Sequence, residues 1–167
     1  YAEFAEGVPG YADGLSLARR AENVLTTRTF SKLHGLAALR LGWGYATEAI
    51  AEAMNRIRLP FNAPTAAQVA ALAALGDDEF MARSIALATA GRAELTRFFR
   101  AHGLDPLEGA ANFVTVRFGE GARVTAAAFE QGLAARGVLV RGLANYGLAD
   151  AVRVTIGTAE EMARFEA

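Results

Sequence analysis

The most informative segment of the chain is Thr29-Phe30-Ser31-Lys32-Leu33-His34-Gly35-Leu36-Ala37-Ala38-Leu39-Arg40-Leu41-Gly42. Its flanks, residues 23–30 and 39–46, are rich in residue types that favour strands. The small residues of 31–38, with Gly35, predict a turn between the two strands. A turn at the end of a strand is a position at which proteins often carry reactive side chains.

This segment combines an amine, two hydroxyls and a guanidinium. Lys32 is the only lysine among the 17 basic residues of the chain. A lysine shielded from water among fixed cations offers the neutral amine that forms a Schiff base with an aldehyde. Hydroxyls and Arg40 are suited to hold a phosphate. From the residue types alone, a solvated lysine at a turn and an arginine in an ion pair are the simpler explanation of the pattern.

Helical patterns occupy the middle of the chain. A helix is predicted from Thr47 to the stop at Pro60, and a second from Pro64 to Leu75. A long helix over 79–102, ended by Gly103, places apolar residues on one stripe. The members of that stripe are Phe80, Leu87, Leu95, Phe98 and Phe99.

After Gly103 the pattern changes to a small α+β unit. Strands are predicted over 112–118, 138–141 and 152–156, with a helix over 124–136. Thr158 followed by Glu161 is a capping-box signature, which predicts one further helix.

Composition excludes several classes of protein. The chain has 167 residues, 53% of them hydrophobic and 21% charged, as in a globular protein. Its net charge of −1 gives no excess for binding nucleic acid. The absence of cysteine excludes disulfides and thiolate metal sites, and no metal site is expected. No apolar run approaches the roughly 20 residues that span a bilayer. We expect a soluble, cytoplasmic chain without membrane contact.

The segment around Lys32 resembles the pyridoxal-phosphate lysine motif of fold-type I aminotransferases. In its fuller form, Arg-Thr-Phe-Ser-Lys-x-x-Gly-Leu-Ala-x-x-Arg-x-Gly, it is similar to the histidinol-phosphate aminotransferase family. Five further segments resemble that family in the same order along the chain. They are Tyr1-Ala2-Glu3-Phe4, Arg58-Leu59-Pro60-Phe61-Asn62, Ala111-Asn112-Phe113-Val114, Gly137-Val138-Leu139-Val140-Arg141 and Val152-Arg153-Val154-Thr155-Ile156-Gly157-Thr158.

The resemblance implies an α/β fold, the C-terminal part of a fold-type I transferase. It divides the chain into the end of a large cofactor-binding domain (1–61), interdomain helices (62–102) and a small, truncated α+β domain (103–167). The chain starts without Met and stops within a predicted helix, so we expect a piece of a longer protein. The family's aspartate for the pyridine nitrogen lies ahead of Tyr1, and we therefore expect this chain alone to be an incomplete enzyme.

The resemblance also implies a role for individual residues. Lys32 is implied to bind pyridoxal 5'-phosphate covalently and to act as the acid and base of the reaction. Tyr1 is implied to hydrogen-bond the phenolic oxygen of the cofactor, or else is an aromatic residue packed at a strand end. Thr29, Ser31 and Arg40 are implied to surround the phosphate, the alternative for the two hydroxyls being strand-end caps.

For the substrate, the resemblance implies two arginines on the small-domain strands. Arg153 corresponds to the family residue that binds the carboxylate of glutamate or the phosphate of the amino-alcohol substrate. Arg141 corresponds to its partner at the phosphate end, although a surface arginine is a simpler explanation there. His34 and His102 are expected to be surface residues.

The implied reaction is a transamination in histidine biosynthesis. Glutamate donates its amino group and leaves as 2-oxoglutarate, and imidazole-acetol phosphate accepts it to become histidinol phosphate. The family also implies a homodimer. The alternatives are an aromatic amino-acid aminotransferase, a pyridoxal-phosphate decarboxylase of the same fold and, from another class, a non-catalytic fragment without cofactor.

Overall fold

The computed structural model describes all residues from 1 to 167, which divide into two compact units, Tyr1–Ser84 and Ile85–Ala167. Unit 1 and unit 2, as we call them, are each described by themselves. None of the helices combines the length and the apolar character that crossing a bilayer demands. The three-part domain division made from the sequence remains a prediction.

The first unit contains a two-stranded antiparallel sheet. β1 (Thr26–Thr29) pairs with β2 (Gly42–Tyr45), with Thr26 opposite Tyr45 and Thr29 opposite Gly42. Both strands lie inside the segments that the residue types predicted. Because the pairing brings Thr29 next to Gly42, residues 30–41 form a loop that leaves and re-enters the sheet at the same end.

Two helices of this unit precede the hairpin along the chain, and two follow it. They are α1 (Ala2–Ala5), α2 (Gly14–Ala18), α3 (Glu48–Ile57) and α4 (Thr65–Leu75). The sequence predicted α3 and α4, whereas α1 and α2 are too short to show a periodic pattern. Thr47 stands at the N-cap of α3 as expected, but its hydroxyl makes no cap hydrogen bond and instead donates to the Glu22 carbonyl at 3.4 Å.

The long helix α5 (Asp78–Ala101) confirms the prediction over 79–102 to within one residue at each end. Leu95 and Phe99 are fully buried in the core of unit 2. The predicted apolar stripe is shorter than expected, however, because Phe80 and Leu87 are exposed. Phe80 instead lies against Gly35 of unit 1, where a Cβ would be 3.4 Å from its ring.

Unit 2 is built on a four-stranded antiparallel sheet of order β3-β4-β6-β5. The strands are β3 (Asp105–Pro106), β4 (Phe113–Arg117), β5 (Arg141–Leu143) and β6 (Leu148–Thr155). The predicted strand over 138–141 was wrong except at its last residue. Val138 and Val140 pack against the core from the connection before β5, which explains the apolar run without strand pairing.

Two helices close the core on one face of this sheet. α6 (Ala126–Ala135) starts at Thr125, whose hydroxyl accepts from the Ala128 N–H. α7 (Ala159–Glu166) starts with the predicted capping box, in which Thr158 and Glu161 each bond the other's backbone N–H. Phe165 of α7 packs edge-on against Phe99, with ring centroids 6.0 Å apart. The packing therefore joins α5, α7 and the sheet into one core.

Replacing Leu95 tests this core. Leu95→Ala removes a fully buried side chain and leaves a cavity, so we expect a loss of about 2–5 kcal/mol in the free energy of unfolding. The matched control is Arg97→Ala on the exposed face of the same helix, with an expected change within about 0.5 kcal/mol. Urea unfolding followed by circular dichroism measures both. Equal losses in the two variants would show that Leu95 is not part of the core.

Candidate active site

The turn that carries Lys32 is closed by backbone hydrogen bonds at its base. The Phe30 N–H donates to the Leu41 carbonyl at 3.1 Å, and the Leu36 N–H donates to the Phe30 carbonyl at 2.9 Å. Phe30 and Leu33 are buried and anchor the turn from below. Because Phe30 and Leu33 are fixed on either side of it, the backbone of Lys32 has a defined position while its side chain is exposed.

A glycine completes the turn. The Gly35 N–H donates to the Lys32 carbonyl at 3.0 Å, and Gly35 adopts a φ of +70°. That left-handed conformation is favourable for glycine and strained for a residue with a Cβ. A glycine three residues after Lys32 is therefore required by the conformation of the turn itself.

Thr29, Ser31 and Arg40 meet in one polar cluster. The Ser31 N–H donates to Thr29 Oγ1 at 3.0 Å, and Arg40 Nη1 donates to Ser31 Oγ at 3.3 Å. The same nitrogen donates to the Ala37 carbonyl at 2.7 Å. Arg40 has a positive φ of 52° and no carboxylate partner. Two hydroxyls beside a guanidinium without a counter-ion are a donor set that fits a phosphate.

Lys32 lies close to Tyr1. Its Nζ is 5.6 Å from the centroid of the Tyr1 ring, within the range of a cation–π contact. The side chain of Lys32 is exposed within this chain. Tyr1 stands at the N-cap position of α1, without a cap hydrogen bond from its side chain.

The two predicted substrate arginines face each other in unit 2. Arg141 in β5 is directly opposite Arg153 in β6. The Arg153 guanidinium lies 4.9 Å from the Phe113 ring centroid, while its Nε is buried without a hydrogen-bond partner. Neither arginine forms an ion pair. Like charges directly opposite each other in a sheet destabilise it, so this pair is an unfavourable arrangement in the absence of a counter-ion.

The histidines differ from each other. His102 is exposed as expected, and its Nδ1 lies 2.8 Å from the Phe98 carbonyl. His34 is half-buried, with its ring 5.1 Å from that of Phe30, so the expectation of a surface residue was wrong there. The His34 ring packs against the buried Phe30 ring, which reduces its exposure.

Sequence reasoning missed the ion pair that braces β1. Asp13, at the N-cap of α2, accepts the Leu15 N–H at 3.1 Å and pairs with Arg28 of β1. The Leu15 N–H holds the pKa of the Asp13 carboxyl below its usual value, and Arg28 adds to this against the opposing effect of burial. Asp13 followed by Gly14 and Leu15 is an ordinary N-cap signal that could have revealed the helix, although not the partner on β1.

Comparison with known proteins identifies the family. The sequence model of "Aminotransferase class I and II" matches residues 1–166. The chain belongs to the class I and II aminotransferases. This confirms the predicted family and α/β fold class, and it places the Lys32 turn in an aminotransferase framework.

The relatives of this aminotransferase chain are more specific. It is 52% identical to histidinol-phosphate aminotransferase 1 of Caulobacter vibrioides, over 96% of this chain and 45% of that protein. It is 48% identical to histidinol-phosphate aminotransferase of Rhodospirillum centenum, over 97% and 44%. The structure of histidinol-phosphate aminotransferase from Sinorhizobium meliloti in complex with pyridoxal-5'-phosphate matches with a TM-score of 0.76 and 29% identity, over 88% and 40%. The chain spans less than half the length of these relatives.

The aminotransferase chain thus carries two groups of predicted site residues. Tyr1, Thr29, Ser31, Lys32 and Arg40 lie in unit 1, where the hydroxyls and Arg40 form one cluster and Lys32 contacts Tyr1. The second group is the arginine pair of unit 2.

The Asp13 brace predicts a pH dependence of stability. The pKa of Asp13 is lower in the folded chain than the usual 3.8, so its stabilising effect is present above that value and is lost as the pH falls through the folded pKa. Asp13→Asn keeps a capping oxygen but removes the charge. We expect the variant to melt at a lower temperature at pH 7, with a difference that begins to shrink only as the pH falls below 3.8 and closes as it passes through the lower folded pKa.

Thermal unfolding followed by circular dichroism between pH 3 and pH 7 measures this difference. Glu52→Gln, which removes an exposed carboxylate without a partner on α3, is the control and should melt like the parent. A difference between Asp13→Asn and the parent that stays constant down to pH 3 would contradict the role of the charge.

Proposed function

We propose that the whole protein containing this chain is a pyridoxal-phosphate-dependent histidinol-phosphate aminotransferase. The observation that carries the substrate is the pair Arg141 and Arg153, two guanidiniums on facing strands without a carboxylate between them. Such a pair matches the charge of a phosphate ester or of glutamate's distal carboxylate. The names of the relatives, which share about half of their matched residues with this chain, support the same reaction.

The residues of unit 1 fit the cofactor. Thr29, Ser31 and Arg40 would hold its phosphate, since they already form one cluster of donors without a counter-ion. Lys32 would hold its aldehyde carbon, since the exposed amine has no carboxylate partner. When bound, pyridoxal phosphate supplies an aldehyde that takes up amino groups and a ring that accepts electrons from the substrate.

The remaining chemistry belongs to the side chains. Lys32 would carry a proton to and from the α-carbon of the substrate as general acid and base. The Tyr1 hydroxyl would donate to the phenolic oxygen of the cofactor and orient its ring. Arg153 would bind the anionic end of both glutamate and histidinol phosphate, and Arg141 would add a second contact to the phosphate ester.

The setting of the reaction is part of the proposal. Imidazole-acetol phosphate would accept the amino group that glutamate donates, leaving 2-oxoglutarate, in histidine biosynthesis. A cytoplasmic homodimer follows from the same family resemblance.

Labelling tests the role of Lys32. The whole protein is incubated with pyridoxal phosphate, reduced with borohydride and digested, and the modified peptides are identified by mass. Lys32 is the only lysine of this chain, so we expect the adduct on the peptide that contains it. Lys32→Arg keeps the charge and should carry none there. Labelling of the whole protein elsewhere, without an adduct on Lys32, would overturn the assignment.

Kinetics of two arginine variants test substrate binding. Arg153→Ala is expected to lower kcat/KM by about 30-fold or more for glutamate and histidinol phosphate alike, because a charge-assisted contact is lost with both. Arg141→Ala is expected to lower it for histidinol phosphate only. Arg123→Ala, in an exposed loop of the same unit, is the control and should leave both values unchanged. Equal effects of Arg141→Ala on the two substrates would contradict its place at the phosphate.

A further inference from the structure

Tyr146 lies against Arg141 in two ways. It ends the short 3-10 turn Ala144–Tyr146 that connects β5 to β6. Its hydroxyl accepts a hydrogen bond from Arg141 Nη2 at 2.8 Å. The Arg141 guanidinium carbon also lies 5.4 Å from the centroid of the Tyr146 ring, within cation–π range. One neutral side chain therefore restrains the guanidinium by an edge contact and a face contact.

The chemical type of this partner matters. Arg141 is exposed and stands opposite Arg153, so repulsion and rotamer freedom both act to move its side chain away. A carboxylate could also fix the guanidinium, but it would neutralise the charge that an anion needs. The Tyr146 hydroxyl fixes it without neutralising it. No other side-chain hydrogen bond involves Arg141, which leaves its remaining N–H groups for a ligand.

The backbone beneath Arg141 is fixed from α6. Glu130 Oε1 accepts the Gly142 N–H at 2.9 Å, at the irregularity in the register of β5. A Cβ on Gly142 would stand 2.3 Å from the other carboxylate oxygen of Glu130, so only glycine allows this approach. The Glu130 carboxylate therefore accepts a hydrogen bond from the backbone of β5 next to Arg141 and does not pair with the Arg141 guanidinium. The backbone of β5 and the side chain of Arg141 are held by separate contacts.

We propose that Tyr146 is a positioning residue that holds Arg141 in place for the phosphate group of the substrate. This inference rests on the proposed function of Arg141. Tyr146 acts by lowering the freedom that Arg141 loses on binding the anion, and it does not touch the reacting atoms. Its loss is therefore expected to weaken binding of a phosphate ester and to leave the chemical step unchanged.

The test uses Tyr146→Phe and Tyr146→Ala in the whole protein loaded with pyridoxal phosphate. Tyr146→Phe removes the hydrogen bond and keeps the ring, so KM for histidinol phosphate should rise about two- to tenfold with kcat unchanged. Tyr146→Ala should raise it further. KM for glutamate should stay near the parent value in both variants, a split that a general structural defect would not produce.

Asn145→Ala is the matched control, since Asn145 is exposed in the same turn and has no part in the hydrogen bond between Tyr146 and Arg141. It should behave like the parent. Melting temperatures should be unchanged in all three variants, because Tyr146 is 61% exposed. If Arg141→Ala raises KM for histidinol phosphate while both Tyr146 variants keep the parent value, the positioning role is overturned.

A binding measurement separates this inference from the proposed function. Inorganic phosphate is titrated into the loaded protein by calorimetry, and only the binding that Arg141→Ala abolishes is assigned to this site. If Tyr146→Phe weakens the phosphate binding that depends on Arg141, the positioning role is supported. This holds even if the parent protein does not turn over histidinol phosphate, because that failure would refute only the proposed function. Parent-like binding in Tyr146→Phe, or no binding that depends on Arg141, overturns the positioning role.

Discussion

The alternation of side chains along β6 links the core of unit 2 to its charged face. Val152 and Val154 are buried against the helices, and because successive residues of a strand point to opposite sides, Arg153 must lie on the other face. A shift of one residue would put the arginine into the core and the valines into water, so the register is strongly fixed. The hydrophobic core thus determines where the positive charge stands.

That constraint explains why two like charges can face each other. Antiparallel pairing sets Arg141 opposite Arg153 whatever their mutual repulsion, because the energy of the pairing comes from the backbone and the buried face. The cost is reduced by aromatic neighbours, Tyr146 for one guanidinium and Phe113 for the other. The rings stabilise the cations without neutralising them, which is the condition that our proposal of anion binding requires.

The Lys32 turn follows the same logic by other means. Buried Phe30 and Leu33 flank the half-buried Ser31 and the exposed Lys32, and hydrogen bonds from both ends of the turn meet on the Phe30 backbone. Strong local patterns of this kind were predictable, as were α5 and the capping box of α7, because each depends on residues near one another in sequence. The shielding of Lys32 from water could not be predicted in the same way, because shielding depends on the residues that lie over a turn and not on the turn itself.

The remaining differences have one physical origin. The apolar run before Arg141 has the composition of a strand, yet strand pairing begins only at Arg141, where β6 offers backbone partners. The role of Tyr146 was invisible for the same reason: a tyrosine five residues after an arginine has no periodic relation to it, and only the 3-10 turn returns its ring to the guanidinium. Local pattern therefore identifies which residues carry charge, whereas the return of the chain on itself determines which side chains hold those charges in place.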